Sequence, residues 1–408
     1  MKKSVLKGYA ELIARMGVNV KKGQEVYIDA GLDQPEFVMM VADACYKCGA
    51  SKVVIDWQYQ PFTKLRYRHE TNKVLSEITA EEEARWQRYV DKIPCRIYLE
   101  SGDPCGLKGI NSEKVARAKQ KRYPVYKSYR DQIENKYQWC IAAVPGEKWA
   151  KKLFPSLSKK QAVEKLWEAI LKTSRAYEGD PCENWKKHND DLHKRCAHLN
   201  ELLIESLHYE SSNGTDFTVG MIPEAEFRAA SELSLQDIEF NPNIPSEECF
   251  ISPMKGKAEG IVYASMPLSY QGQLIEDFWI RFKDGKACEW GAGANEQLLT
   301  EMITMDETSC YLGECALVPY SSPVMESGIL FYNTLFDENA ACHLALGAGF
   351  PDSLKDYSKY TLEEARKLGI NDSMIHVDFM IGTRDLKITA KLRNGGEAVI
   401  FENGEWAF

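Results

Sequence analysis

The start of the chain contains a strand, an amphipathic helix and a second strand in close succession. Glu25–Asp29 and Lys52–Asp56 are rich in apolar and β-branched residues, which predicts two strands. Between them, Gln34–Gly49 carries apolar residues at spacings of three and four, which predicts a helix. Two strands joined through a helix pair in parallel, because the crossover returns the chain to the same end of the sheet. This unit therefore predicts an α/β fold for the first part of the chain.

The same alternation continues further along the chain. A helix is predicted at Ala80–Asp91, and short apolar strands are predicted at Cys95–Leu99 and Trp139–Val144. Another helix is predicted at Ser158–Arg175, where the serine serves as the N-cap. We therefore expect residues 1–192 to form one α/β N-terminal domain, with a parallel sheet built from βαβ units.

The pattern changes after a long, polar-faced helix predicted at Asn184–Leu203. A strand is predicted at Ile204–Tyr209, and glycine-containing turns at Lys283–Lys286 and Asn394–Gly396 are typical of hairpins. Hairpins join antiparallel strands. We therefore expect residues 193–408 to form an α+β C-terminal domain dominated by antiparallel sheet.

Charge and hydropathy argue against two classes of partner. The formal net charge is -9, whereas a general nucleic-acid binder presents a basic face. No segment approaches the roughly 18 consecutive apolar residues of a membrane span. The basic residues near Met1 are followed by an amphipathic segment, not by the apolar core of a signal peptide. We therefore expect a cytoplasmic protein with no nucleic-acid or membrane partner.

His376 and Asp378 form the first candidate metal pair. In a strand, alternate residues share a face, so both side chains would point the same way, with Val377 on the other face. An unpaired carboxylate is costly to bury, so Asp378 needs a partner. The His-x-Asp pattern alone leaves open a metal site and an ordinary paired strand.

Further acidic residues lie in unusual surroundings. Glu247 and Glu248 follow a proline turn, and Glu314 stands alone in an apolar run. A buried Glu314 would need either a lysine or arginine side chain or a metal ion as partner. Glu338 and His343 are five residues apart, about 140° on an ideal helix, so only a break in the helix would let them converge.

Several long motifs, in the same order along nearly the whole chain, resemble the aminopeptidase T family of metallo-aminopeptidases. The strongest matches lie in the second half, where acidic and histidine residues recur in the family order. The segments that carry the resemblance are Gly17–Gln24, Asn213–Asp216, Asn243–Glu248, Leu312–Glu314, Phe331–Asn339 and His376–Asp378.

The resemblance implies a homodimeric enzyme that removes N-terminal residues from peptide substrates. It implies an α/β N-terminal domain and a C-terminal domain that holds two divalent metal ions, which could be Zn, Co, Mn or Mg. Glu314 would bridge the two ions, and Glu314 or Glu247 would carry the proton. The metal ligands of the family correspond here to Glu248, Glu314, Glu338, His343, His376 and Asp378.

One position departs from the family pattern. Seven residues after His343 the family typically has a tyrosine, whereas this chain has Phe350. Phenylalanine has no hydroxyl to donate to an oxyanion, and the loss of one such donor costs on the order of 10²–10³ in rate. This departure leaves open a non-catalytic homologue that binds peptide or metal. A two-metal hydrolase of another amide or ester also stays open, because specificity depends on the shape of the cavity.

Overall fold

The computed structural model describes all residues, Met1–Phe408. None of its helices combines the length and the apolar character needed to cross a membrane. The helices are α1 Lys3–Leu12, α2 Pro35–Lys47, α3 Gln60–His69, α4 Asn72–Ser76, α5 Ala80–Lys92, α6 Ser112–Ile133, α7 Glu147–Leu153, α8 Lys159–Thr173, α9 Pro181–Glu201, α10 Glu296–Ile303, α11 Pro323–Glu326, α12 Thr334–Asp337 and α13 Leu362–Leu368. Shorter π or 3-10 turns lie at Ile13–Gly17, Glu338–Ala340, Pro351–Ser353 and Tyr357–Lys359.

Strands dominate the chain after α9. The strands are β1 Glu25–Gly31, β2 Lys52–Gln58, β3 Cys95–Glu100, β4 Trp139–Ala143, β5 Ile204–Glu210, β6 Asp216–Met221, β7 Arg228–Ala229, β8 Glu232–Leu233, β9 Glu239–Phe240, β10 Asn243–Ile244, β11 Cys249–Ile251, β12 Pro253–Tyr263, β13 Leu268–Tyr270, β14 Gln273–Ile275, β15 Trp279–Lys283, β16 Lys286–Gly291, β17 Leu312–Leu317, β18 His343–Gly347, β19 His376–Met380, β20 Lys387–Leu392, β21 Glu397–Glu402 and β22 Glu405–Trp406.

Local capping explains where two of the predicted helices begin. Thr79 accepts a hydrogen bond from the backbone N–H of Glu82, whose side chain accepts one from the Thr79 N–H in return. Ser158 and Gln161 form the same reciprocal arrangement at the start of α8. Such capping boxes satisfy backbone N–H groups that have no partner within the helix.

The chain forms two compact units. The first comprises Met1–Asn189 with Ser231–Ser246, and the second comprises Asp190–Ala230 with Glu247–Phe408. Ser231–Ser246 belongs with the first unit because β10 pairs with β4 there. The single domain boundary expected after residue 192 did not include this return of the chain to the first unit.

The first unit contains a five-stranded parallel sheet in the order β10-β4-β3-β1-β2. The pairing of β1 with β2 confirms the βαβ unit, with Glu25 opposite Lys52 and Gly31 opposite Gln58. β3 then joins the other side of β1, so the order of the strands reverses at β1. This is a doubly wound arrangement, and it confirms the parallel sheet of βαβ units predicted for the first part of the chain.

The second unit is built on two antiparallel sheets, as predicted. One has eight strands in the order β16-β15-β12-β6-β5-β20-β21-β22, and both predicted hairpin turns lie within it, between β15 and β16 and between β20 and β21. The other has five strands in the order β19-β18-β17-β11-β7. Both sheets contribute to one hydrophobic core, which includes Leu207 and Phe217 from the larger sheet and Leu344 from the smaller.

Candidate metal centre

The five-stranded sheet of the second unit brings the candidate residues together. Glu314 on β17 lies opposite Ala345 on β18, and Ala345 lies opposite Asp378 on β19. In the next row towards the strand end, His376 lies opposite Gly347. The small residues between the acidic and imidazole side chains leave space on this face of the sheet.

The opposite face of the same strands belongs to the hydrophobic core. Cys315, Leu344 and Phe379 are each next to a candidate residue in the chain, yet all three are buried in the core. Strand alternation therefore separates an apolar face from an acidic one. The alternation also directs Cys315 away from the candidate site. Its thiol lies in the core instead, 2.6 Å from the hydroxyl of Tyr209.

Two groups of potential ligand atoms form on the acidic face. Glu248, Glu314 and His343 make one group, and Glu314, His376 and Asp378 make the other, with the ligand atoms of each group within 4.8 Å of one another. The nearest pairs are His343 Nε2 to Glu248 Oε2 at 3.0 Å and His376 Nε2 to Glu314 Oε2 at 3.0 Å. His376 Nε2 also lies 3.2 Å from Asp378 Oδ1, as the shared face of the His-x-Asp strand predicted.

Glu338 and His343 are separated by a change of secondary structure. Glu338 begins a single 3-10 turn that ends at Ala340, and His343 then begins β18. The break that would let them converge is therefore present, and the alternative of a continuous helix is wrong. Glu338 is outside both ligand groups, although its carboxyl is buried and interacts electrostatically with Asp378, Glu248 and Glu314.

Burial and mutual repulsion perturb the acidic residues. Burial raises the pKa of Glu314 to about 7, and Glu248 and Asp378 add to the rise while His376 opposes it. Burial also raises the pKa of Glu338 well above its ordinary range, with Asp378 as the largest repulsive neighbour. In the metal-free protein these carboxyl groups are thus held in surroundings that disfavour their ionised form.

Contacts between imidazole and carboxylate groups favour the charged forms of His343 and Asp378. Burial would lower the pKa of His343, but its contact with Glu248, together with the charges of Glu314 and Asp378, outweighs burial and raises the pKa to about 9. Burial would raise the pKa of Asp378, but His376, with a further contribution from His343, outweighs burial and lowers the pKa to about 2. The predicted alternatives for Glu314 included an ion pair with lysine or arginine, and its observed ion-pair partner is His376 instead.

Both histidines are oriented through the ring nitrogen that faces away from the cluster. His376 Nδ1 lies 2.7 Å from the carbonyl oxygen of Ala348, and His343 Nδ1 lies 3.3 Å from that of Ala341. A Nδ1–H that donates to a carbonyl fixes the ring and leaves the Nε2 lone pair for a metal ion, as is usual for metal-binding histidines.

The donor set fits divalent cations. Two ligands about 2.1 Å from one zinc-like ion lie roughly 3.0–3.4 Å apart, which matches the observed contacts between imidazole nitrogens and carboxylate oxygens. Asp378 Oδ1 is buried and has no hydrogen-bond partner besides its 3.2 Å contact with His376 Nε2, so a cation held by both groups would satisfy it. Four carboxylates and two imidazoles carry a surplus of negative charge that bound cations would neutralise. Mixed oxygen and nitrogen donors suit Zn, Co or Mn.

Asn339 is a positioning residue that the sequence analysis did not single out. It is fully buried, and its side-chain oxygen accepts a hydrogen bond from the backbone N–H of Glu247 at 2.6 Å. Its amide nitrogen donates to the Leu335 carbonyl at 2.9 Å and lies 3.4 Å from Glu338 Oε1. Asn339 thereby ties together two segments that carry acidic residues of the site. The sequence signal that could have indicated this role is the position of Asn339 within the Phe331–Asn339 motif.

Asp306 is a second residue of this kind. Its carboxylate accepts hydrogen bonds from the backbone N–H of Met374 at 2.7 Å and from the hydroxyl of Ser373 at 2.7 Å. It also accepts one from the backbone N–H of Thr308 at 2.8 Å. These bonds hold the segment that leads into His376, and no local sequence pattern indicates them.

Two other residues singled out from the sequence lie at different positions relative to the cluster. Glu247 is buried but belongs to neither ligand group. The Phe350 ring lies 4.7 Å from the His376 ring and 5.6 Å from the Phe250 ring, centre to centre. The position where the family pattern has tyrosine is thus directly beside a candidate ligand.

Similarity to known proteins extends over the whole chain. A family model described as thermophilic metalloprotease (M29) matches residues 2–406. The chain is 37% identical to aminopeptidase AmpS of Bacillus subtilis (strain 168), over 99% of this chain and 98% of the relative. It is 34% identical to aminopeptidase T of Thermus aquaticus, over 97% of both chains. The structure of wild-type AmpT from Thermus thermophilus matches with a TM-score of 0.89 at 33% identity, over 100% of both chains.

Proposed function

Because this chain belongs to the M29 family of thermophilic metalloproteases, we propose that it is an aminopeptidase that removes N-terminal residues from peptides at a centre of two divalent ions. The observation that carries the proposal is the sharing of Glu314 between two groups of ligand atoms on one face of a sheet. Each group has the donors that would hold one ion, and Glu314 belongs to both groups.

The proposed ligands are Glu248, Glu314, Glu338, His343, His376 and Asp378. When bound, a pair of divalent ions supplies an activated water and polarises the carbonyl of the bond that is cleaved. Glu314 is held between the two groups by β17, and Asn339 holds the segment of Glu247 in place. We propose that Glu314 or Glu247 accepts the proton of the attacking water and passes it to the leaving amine.

The free amino group of the substrate distinguishes an aminopeptidase from other peptidases. The purified full chain is incubated with Co²⁺ or Zn²⁺ and a panel of peptides, each in a free-amine and an N-acetylated form. We expect metal-dependent release of the first residue from the free-amine peptides alone. Cleavage of the acetylated peptides at the same rate, or no metal-dependent release across the panel, would contradict the proposal.

A matched pair of variants connects this activity to the site. Glu338→Gln removes a buried carboxylate of the cluster, whereas Glu363→Gln removes an exposed one that pairs with Lys367 on α13. We expect the first to lower kcat/KM more than about 100-fold, since even outer partners of metal ligands are worth 10- to 100-fold. The second should leave it unchanged.

Phe350 favours the competing proposal of a homologue that binds metal or peptide without turnover. Its ring lies beside His376 and offers no hydroxyl to a developing oxyanion. This alternative predicts metal uptake with no release of amino acids from any peptide of the panel. We also propose that the protein is a homodimer, which light scattering would show as twice the mass of one chain.

A further inference from the structure

A cavity of about 540 Å³ lies in the first unit, at the carboxyl ends of β1, β2 and β3. The sheet order places β2 on one side of β1 and β3 on the other, so the direction of winding reverses between β1 and β3. In doubly wound sheets, ligands bind in the crevice outside the carboxyl ends of the strands at such a switch point. The volume lies within the range of small-molecule sites.

The inner wall of the cavity depends on close approach between strand ends. A Cβ on Gly31 would collide with the Ser101 hydroxyl, and a Cβ on Gly146 would collide with the Ser101 carbonyl oxygen. Ser101 is buried, and its hydroxyl donates to Asp33 Oδ2 at 2.8 Å. The carboxylate of Asp33 is therefore fixed at the edge of the crevice by a neutral donor.

The loop after β3 is fixed by the first turn of α3. Gln60 Nε2 donates to the Asp103 carbonyl at 3.0 Å, and the Asp103 N–H donates to Gln60 Oε1 at 2.9 Å. A Cβ on Gly106 would collide with the Gln60 side chain, so this loop packs closely on that residue. The cavity is thus bounded on two sides by specific hydrogen bonds.

The lining carries a surplus of negative charge. Its charged side chains are five carboxylates and one ammonium group, from Asp29, Asp33, Glu100, Asp103, Glu147 and Lys148. Several of these carboxylates face a cation of the protein: Arg96 lies 3.6 Å from Asp29, Lys148 lies 3.8 Å from Asp103, and Lys159 lies 2.5 Å from Glu147. Asp33 is different, because the hydrogen bond it accepts comes from an uncharged hydroxyl. A cationic ligand would supply the charge that the serine does not.

Apolar and aromatic groups complete the lining. Leu32 and Tyr59 are 50% and 57% exposed and lie at the rim, although large apolar side chains are usually covered. Tyr98 also lines the cavity. Aromatic faces attract ammonium groups, and aliphatic side chains pack against a methylene stem. The combination therefore suits a cation on a hydrocarbon chain better than a bare metal ion.

We propose that this cavity binds a primary ammonium group on an aliphatic stem, of the size of a lysine side chain or a short diamine, with Asp33 as the main anionic contact. The site lies within the first unit and shares no residue with the metal centre. The proposal therefore does not rest on the proposed aminopeptidase activity, and its test does not use catalysis.

The test is a calorimetric titration of the full chain with 1,5-diaminopentane and with N-acetyl-lysine amide. We expect saturable binding with a dissociation constant on the order of 1 mM, as suits a ligand with few non-hydrogen atoms. The neutral analogues 1,5-pentanediol and N-acetyl-norleucine amide should give no saturable heat. Absence of saturation by both ammonium ligands, or equal binding of the neutral analogues, would overturn the proposal.

Two matched variants locate the binding. Asp33→Asn keeps the shape of the side chain and should weaken binding about 3- to 10-fold. Asp91→Asn is the control, because Asp91 is an exposed carboxylate of the same unit, outside the cavity, that also accepts from a neutral donor, Gln87. A second change in the cavity, Tyr59→Leu, should weaken binding about 2-fold. Equal affinities of Asp33→Asn and the unchanged protein would place the ligand elsewhere and refute the proposal.

Discussion

Replacing Glu314 by glutamine should change metal-free and metal-loaded protein in opposite directions. Glu314 takes part in both ligand groups, and its carboxylate lies 3.0 Å from His376 Nε2. Burial raises its pKa from the ordinary 4.5 to about 7, so folding without metal disfavours the charged form. Glutamine keeps the size and an acceptor oxygen for His376 but removes the charge. The variant should therefore stabilise the metal-free protein and lose the stabilisation that metal provides.

The magnitude follows from the two pKa values. A carboxyl whose pKa is raised from 4.5 to about 7 costs about 3 kcal/mol of folding free energy at a pH where it is ionised. Loss of the charged contact with His376 offsets part of this, so we expect a gain of about 1–3 kcal/mol at pH 8. For a chain of 408 residues, that corresponds to a melting temperature about 1–4 °C higher in chelator. Well below pH 4.5 the carboxyl is protonated in both the folded and the unfolded state, so the gain should vanish there.

The assay is thermal unfolding of both proteins in EDTA and in saturating Zn²⁺ or Co²⁺. A ligand present at 100 times its dissociation constant adds about 2.7 kcal/mol of stability. The unchanged protein should gain at least this much from metal, and Glu314→Gln should gain almost nothing. Glu363→Gln, at an exposed position on α13, should behave like the unchanged protein under both conditions.

Two results would refute this reasoning. If Glu314→Gln melts at a lower temperature than the unchanged protein in EDTA at pH 8, then the buried charge is not a cost to the metal-free fold. If metal raises the melting temperature of the variant as much as that of the unchanged protein, then Glu314 is not a shared ligand.

Three further predictions concern residues around the site. Asn339→Ala should lower metal affinity about 10- to 100-fold in a competition titration, because Glu247 and Glu338 lose their common partner; unchanged affinity would argue against this positioning. Burial raises the pKa of Asp306, but hydrogen bonds outweigh burial and lower it below 3.8, so its stabilisation is present above that pH and is lost as pH falls through the lowered pKa. Asp306→Asn should therefore cost about 1 kcal/mol in urea unfolding at pH 7 and less at pH 3, and an equal cost at both would contradict it. Phe350→Tyr should raise kcat at least about 10-fold by adding a donor beside His376, and an unchanged kcat would mean that the missing hydroxyl does not limit turnover.

Local patterns were sufficient for features that depend on neighbouring residues. The spacing of Gln34–Gly49 predicted α2, and the strands on either side of it pair as the βαβ rule requires. Strand alternation placed His376 and Asp378 on one face, and their side chains lie 3.2 Å apart. The resemblance to the aminopeptidase T family is also confirmed, because long motifs in a fixed order are far more specific than a single pattern.

The remaining features depend on contacts that are distant in sequence. The register that places Ala345 between Glu314 and Asp378 is set by the pairing of three strands, and nothing in any one strand indicates it. His343 is placed by β18, so helix periodicity could not relate it to Glu338. Asn339 acts on a backbone N–H that lies 92 residues earlier. The assignment of the six ligands rested on the resemblance. The sheet gives a physical reason why four of them, on β17, β18 and β19, lie together, with Glu248 directly before β11.

The number of divalent ions held per chain tests the central proposal most directly. The full chain is dialysed against Zn²⁺ or Co²⁺, freed of excess metal and measured by elemental analysis beside Glu314→Gln. Two ions per chain in the unchanged protein, and a loss of both in Glu314→Gln, are the predicted result, because the two ligand groups share that carboxylate. Fewer than one ion per chain in the unchanged protein, or an equal count in the variant, would contradict a two-ion centre bridged by Glu314.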